Sequence, residues 1–350
     1  MHQVYEIPAN ITAAVVSRIK IMGRLDVAEK RKPQDGRIKT LSPDGIEIEL
    51  RLSSMPTAFG EKLVLRIFDP EVLVKNFAAL GLEKRESEIW NNMISRPYGI
   101  ILVTGPTGSG KTTTLYTSLK HLAKPEVNVC TIEDPIELIE PSFNQMQVQH
   151  NIDLDFATGV KTLLRQDPDI IMVGEIRDRE TAEMAVQAAL TGHLVLSTLH
   201  TNDAPSAIAR LAEIGVPPYL ITATLIGVVA QRLVRTLCPH CKQETSLELI
   251  DWQALIKPWT TSAPEKICAA EGCLECRQTG FSGRIGIYEM MPLTDALKHD
   301  ITDNFDLVKF RKTAIKDGMK PLNLAGAQKV ARGLTTIEEV LKVAPPRYDL

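Results

Sequence analysis

The sequence predicts an α/β fold: a mostly parallel sheet with helices on both faces, preceded by a small α+β domain and followed by a cysteine-bearing subdomain and a helical tail. Three observations carry this. Short, β-rich apolar runs at 100–104, 127–132, 169–173 and 194–198 alternate with helix-length segments, the pattern of parallel strands joined by crossover helices. Ahead of them, a helical period gives way to strand-like runs separated by a turn. Behind them stand two C-x-x-C pairs.

In chain order, Ile11, Val15, Ile19, Met22 and Leu25 recur near a helical period over 11–29. The run Gly36–Leu41 and the strictly alternating run Ile46–Leu52 flank Ser42-Pro43-Asp44-Gly45, whose turn chemistry predicts a hairpin. Leu63–Phe68 follows as a third strand, which closes a first domain over 1–70. A linker and leading helix occupy 71–98, and the sheet domain occupies 99–237. Within it, Thr181–Leu190 is expected as a helix stopped by Gly192. The most apolar stretch, Val216–Ala230, is too short to span a bilayer and contains Pro217 and Pro218; it is expected as a buried core helix. The cysteine-bearing subdomain covers 238–290, and 291–350 reads helical, with apolar periodicity around Leu307, Phe310, Leu322 and Leu324.

Composition narrows the function. The chain has 350 residues, 44% hydrophobic and 24% charged, as a soluble globular protein does. A net charge of −3 and 5% aromatic residues provide neither the basic field nor the stacking platforms of a nucleic-acid binder. Met1–Pro8 lacks the basic-then-apolar pattern of a secretory leader, so a cytoplasmic protein is expected.

Gly105-Pro106-Thr107-Gly108-Ser109-Gly110-Lys111-Thr112 fits the phosphate-loop pattern G-x-x-x-x-G-K-[ST]. Average composition yields that pattern by chance in roughly 1% of chains of this length, so the match is specific. The apolar run Ile100–Val103 precedes it and the helix-forming Thr113–Tyr116 follows, the order that lets backbone N–H groups curl around phosphates at a helix N-terminus. Lys111 is expected on the β- and γ-phosphates of ATP, and the Thr112 hydroxyl on Mg²⁺. Two predicted strands end in acids, Thr131-Ile132-Glu133-Asp134 and Asp169–Glu175, and His200 ends a third. A single acid there most simply caps the next helix; two on flanking strands beside a phosphate loop point to a site at the carboxyl ends of the sheet.

Cys238-Pro239-His240-Cys241 and Cys273-Leu274-Glu275-Cys276 offer four thiolates with the spacing of a structural, tetrahedral Zn²⁺ site. A redox C-x-x-C is the competing reading, but it normally opens a helix in a thioredoxin-like unit, and none is visible. Cys130 reads as core, and Cys268 has no assigned role.

Taken together, Thr104–Thr112, Thr131–Glu137, Leu164–Asp169, Gly174–Asp178 and Gly192–Asn202 resemble the secretion ATPase superfamily. Leu233–Cys238 and the cysteine arrangement are closer to its type II secretion and type IV pilus assembly branch than to the retraction branch. The resemblance covers nearly the whole chain. It implies a RecA-like core behind a PAS-like domain, working as a homo-hexameric motor that hydrolyses ATP to assemble pilin-like filaments. Partners would be inner-membrane platform proteins, with the motor peripheral to that membrane and not inserted in it. By the same resemblance Glu133 prepares the attacking water, Glu175 is the atypical Walker B acid, and His200 is the His-box residue. Thr113, directly after the phosphate-loop motif, counts with the nucleotide-binding residues, and the cysteine subdomain resembles the assembly branch's metal domain. Gln34-Asp35-Gly36-Arg37 and Glu49-Leu50-Arg51-Leu52-Ser53 match the family's arginine-bearing motifs, which implies Arg37 and Arg51 as arginine fingers; Arg66 is a weaker match. Full-length members carry a further amino-terminal domain ahead of the segment that begins near Tyr5. The alternative function is a nucleic-acid-translocating motor on the same core, and a scaffold without turnover is a third reading.

Overall fold

The computed structural model describes residues 3–42, 45, 47–68 and 76–346. The chain divides into two compact units, 1–74 and 75–350.

In the first unit a helix, α1 (Ala9–Met22), is followed by three antiparallel strands, β1 (Gln34–Leu41), β2 (Glu47–Thr57) and β3 (Gly60–Phe68), in the order β1-β2-β3. The expected strands are present and longer than their alternating cores, while Pro43 and Asp44 of the expected turn lie outside the described residues. Few of its apolar side chains are buried, Ile38 and Leu52 among them. Lys20, fully buried, donates to the Glu29 carbonyl and to Glu61 Oε1, both at 2.7 Å.

The second unit opens with α2 (Phe77–Leu80) and α3 (Lys84–Ile94). Its centre is a seven-stranded sheet built from β4 (Gly99–Thr104), β5 (Val129–Glu133), β6 (Asn144–Gln147), β7 (Ile170–Val173), β8 (Leu194–Leu199), β9 (Leu225–Leu237) and β12 (Phe281–Pro292). The order is β12-β9-β4-β8-β7-β5-β6, and every pairing is parallel except β12 on β9. β4, β5, β7 and β8 are buried along their whole length, as continuous apolar runs covered on both faces must be. The intervening helices are α4 (Lys111–Leu122), α5 (Phe156–Leu163), α6 (Arg179–Leu190), α7 (Ala204–Glu213) and α8 (Pro218–Thr224). Asp155, Asp178 and Asp203 cap α5, α6 and α7 through their side chains, which fixes where each helix leaves its strand. Gly192, at φ +100, follows the last turn of α6 as expected.

Two stretches differ from the sequence expectation. Val216–Ala230 is not one helix: α8 ends at Thr224 and the chain turns into the 13-residue strand β9. A short apolar run does not reveal its period when both faces of a strand are buried, and here β4 on one side and β12 on the other take up its backbone groups. Phe281–Pro292, counted in part with the cysteine subdomain, belongs instead to this central sheet. The cysteine lobe proper holds β10 (Gln243–Ser246), α9 (Leu249–Ile256) and β11 (Lys266–Ala269). The tail is helical as expected, in α10 (Asp295–Asp300), α11 (Leu307–Lys316), α12 (Leu322–Ala331) and α13 (Ile337–Val343). Among the described residues, no helix is long and apolar enough to cross a membrane.

Candidate phosphate site and cysteine cluster

The phosphate loop joins β4 to α4, at the carboxyl edge of the parallel strands. α4 starts from Gly110, at φ +87, with no side-chain cap, so its first turn is open to an external acceptor. Gly105 sits where a Cβ would meet the Gln231 carbonyl at 2.5 Å and Ser109 Oγ at 2.6 Å, so the loop can lie this close to β9 only with glycine there. Pro106, Thr107 and Gly108 are exposed along the rim and Ser109 is buried. The Ser109 hydroxyl has no hydrogen-bond partner among the described residues. A buried donor left over beneath an uncapped helix start fits a phosphate. Lys111 Nζ donates to the carbonyls of Gly105 (3.0 Å) and Pro106 (3.2 Å). Burial lowers its pKa, opposed by the Glu175 carboxylate and assisted by Arg232. Thr112 is exposed and Thr113 half-buried in the first turn of α4.

Glu175 and His200 meet beyond the ends of β7 and β8. His200 Nε2 lies 3.4 Å from Glu175 Oε2, and the other carboxylate oxygen is ion-paired with Arg177. These three, with Ile176, Leu199 and Arg210, line an open cavity of about 520 Å³. Burial lowers the His200 pKa, the charge of Lys111 adds to that, and Glu175 opposes it, so the three groups share one electrostatic neighbourhood. Glu133, by contrast, is turned inward. The residue is 3% exposed, and its carboxylate accepts from the Tyr116 hydroxyl (2.7 Å), Thr131 Oγ1 (2.6 Å) and Gln145 Nε2 (3.2 Å).

Arg37 and Arg51 belong to the first unit, where they are paired across β1 and β2. Glu49 Oε1 stands 3.8 Å from Arg37 and 3.9 Å from Arg51. His193, the other histidine near β8, bonds Ala188 O through Nδ1 at 2.9 Å, a structural role.

Sequence reasoning missed three residues here. Gln231 Oε1 accepts from Thr114 Oγ1 of α4 at 2.8 Å. Arg232 Nη2 donates to Asn202 O at 2.7 Å, tying β9 to the loop after His200, and its Nη1 lies near the Gly105 position. The signal was present, since Gln231-Arg232 is a polar pair inside an apolar run. Arg177 lay within a motif already singled out, but which partner it takes is a matter of tertiary structure.

The sulfur atoms of Cys238, Cys241, Cys273 and Cys276 all lie within 4.8 Å of one another. Three of the separations are 3.9 Å (Cys238–Cys273), 3.7 Å (Cys241–Cys276) and 3.7 Å (Cys273–Cys276). A tetrahedron with metal–sulfur bonds of about 2.3 Å has edges of about 3.8 Å, so the four thiols fit a Cys₄ shell. The backbone N–H groups of Cys273 and Gly280 both reach Cys276 Sγ at 3.2 Å. Burial raises the Cys276 thiol, but these donors and its sulfur neighbours outweigh burial and bring it down to about 6.

Comparisons with known proteins agree with this architecture. The family profile described as "Type II/IV secretion system protein" matches residues 1–342. The type IV pilus assembly ATPase TfpB of Acinetobacter baylyi is 61% identical over 345 residues, which is 99% of this chain and 59% of that relative. The type II secretion system protein E of Pseudomonas aeruginosa is 47% identical over 350 residues, 98% of this chain and 68% of its own length. Among solved structures, the pilus retraction motor PilT with bound ADP is similar at a TM-score of 0.65 and 27% identity, covering 91% of this chain and 80% of PilT.

Proposed function

The chain belongs to the type II/IV secretion system protein family, and from that premise we propose that it is an ATP-hydrolysing motor that powers assembly of pilin or pseudopilin filaments. The observation that carries the reading is the convergence of Lys111, Glu175 and His200 at the carboxyl ends of adjacent strands beside an uncapped helix start. Gly105–Gly110 would wrap the phosphates of ATP, Lys111 would exchange its two loop carbonyls for phosphate oxygens, and Thr112 and Glu175 would hold Mg²⁺. His200, at the rim of the cavity, would face the γ-phosphate. Glu133 would orient the attacking water, and Arg37 and Arg51 would neutralise charge on the transferring phosphoryl group. The four cysteines would hold a structural Zn²⁺ that ties the lobe together.

In this reading the motor works as a homo-hexamer in the cytoplasm, peripheral at the inner membrane, where it engages platform proteins of a secretion or pilus machine. The names of the relatives support secretion and pilus work and do not favour a nucleic-acid motor. The test is Mg²⁺-dependent ATP hydrolysis across a wide range of protein concentration. A specific activity that rises steeply is expected, because the arginines complete the site only when subunits close; a flat, non-zero value over a range in which sizing shows dissociation would overturn ring dependence. Stimulation by single-stranded DNA would restore the nucleic-acid reading.

A further inference from the structure

Glu133 is a buried carboxylate, and its side-chain hydrogen-bond partners among the described residues, Tyr116, Thr131 and Gln145, are all neutral. Burying an anion without a countercharge is costly, and aimed hydrogen bonds are what offset it. Resting on the reading of Glu133 as the acid that orients water, we propose that Tyr116 is a positioning residue: its hydroxyl holds Glu133 in the orientation that lets one carboxylate oxygen serve the reaction.

The hydrogen-bond inventory supports this. Among the described residues, Oε1 takes two donors, Thr131 and Gln145, whereas Oε2 takes one, Tyr116. Oε2 is therefore the oxygen with room for a further partner, and Tyr116 is the group that sets its direction. The Tyr116 hydroxyl has one proton and two acceptors in reach, Glu133 Oε2 at 2.7 Å and Leu138 O at 3.1 Å. The shorter, charge-assisted bond goes to the carboxylate. Gln145 Nε2 lies 2.9 Å from the same hydroxyl, and its two protons are shared among that oxygen, Leu138 O at 2.9 Å and Glu133 Oε1 at 3.2 Å. Burial first, and then the Glu133 charge, raise the phenol pKa, so Tyr116 stays a donor throughout. Tyr116 also lies on α4, four residues after Thr112 and so on the same helix face. One rigid turn thus links the phosphate-binding end of the helix to the acid.

The competing account is that Tyr116 simply fills the core, with its ring edge-on to Phe143 at 5.8 Å. A core filler has no need of the hydroxyl, and Tyr116→Phe separates the two because it keeps the ring. On the full chain, Tyr116→Phe is expected to lower kcat for ATP hydrolysis by roughly 10- to 100-fold, as loss of an orienting partner does. KM should stay within about twofold of the parent, and fluorescent ADP should bind unchanged. In a Glu133→Gln background the same substitution should cost nothing further, because the bond it removes has no anion to orient. An unchanged kcat, a kcat that rises, or a change in KM alone would each overturn the proposal; a rise would mean that Tyr116 restrains the acid instead. The Glu133→Gln variant by itself keeps the two ideas apart. Should it hydrolyse ATP like the parent, the role given to Glu133 fails; should it be inactive while Tyr116→Phe is normal, only the positioning role fails.

Discussion

β9 serves two sites of opposite character. In its middle, Gln231 and Arg232 brace the phosphate loop, and its end runs directly into Cys238. At the cysteine cluster the four sulfur atoms already stand close to the corners of a tetrahedron, and backbone N–H groups point at Cys276. At the phosphate loop the charged groups are engaged with their neighbours: Lys111 with two loop carbonyls, Glu175 with Arg177 and His200. A site for a permanent occupant has its ligands converge before anything binds. A site whose occupant arrives and leaves keeps partners that can be exchanged at little net cost. The buried carboxylate Glu133 lies between these extremes, held firmly by three donors yet with lone-pair capacity left.

The largest test of this contrast is Lys111→Ala. It removes the cation that we propose reaches the phosphates and should lower hydrolysis by at least ~10³-fold, read as phosphate release. Activity equal to the parent would break the assignment of the exchangeable site. Arg37→Ala should come next, slowing kcat by ~10²-fold or more with little change in ATP affinity, because a finger acts on the transition state. A loss confined to affinity would make Arg37 a binding group only.

On the permanent side, replacing Cys241 and Cys276 together by serine should reduce zinc from about one equivalent per chain to none and lower the melting midpoint by several degrees. Metal content that stays at the parental level would refute the Cys₄ site. The smallest effect concerns the base of the cysteine lobe, where Arg235, stacked on Phe281, bonds both oxygens of Glu339 on α13. These bonds outweigh burial and hold the Glu339 carboxyl down at about 2, against an ordinary value of 4.5. Since the folded pKa is depressed, its contribution is complete above 4.5 and is lost as pH falls from there towards about 2. Glu339→Gln should therefore cost ~1–2 kcal/mol in urea unfolding at neutral pH, after allowance for the half-exposed arginine, and progressively less in acid. A cost that does not change with pH would show that the pair stabilises by packing rather than by charge.

Contiguous features were legible from the chain alone. The phosphate loop needs glycines, a lysine and a hydroxyl at set offsets between a strand and a helix, so local spacing carries the whole signal. The two C-x-x-C pairs are equally local, and only their approach to one another is not. The buried strands β4, β5, β7 and β8 announced themselves as apolar runs of strand length. β9 and β12 did not. Val216–Ala230 is apolar whichever element it forms, and the antiparallel partner of β9 lies beyond the whole cysteine lobe.

The sequence by itself determined which groups could do chemistry here: a phosphate loop, acids and a histidine at strand ends, and four thiols in two pairs. Tertiary structure alone decided how they are used. It brought Glu175, His200 and Arg177 into one cavity, turned Glu133 inward on to Tyr116, and set Gln231 and Arg232 behind the phosphate loop. The physical reason is range. Backbone conformation and helix starts follow from residues a few positions apart, whereas a buried polar group takes whichever partner the packing of distant strands leaves beside it.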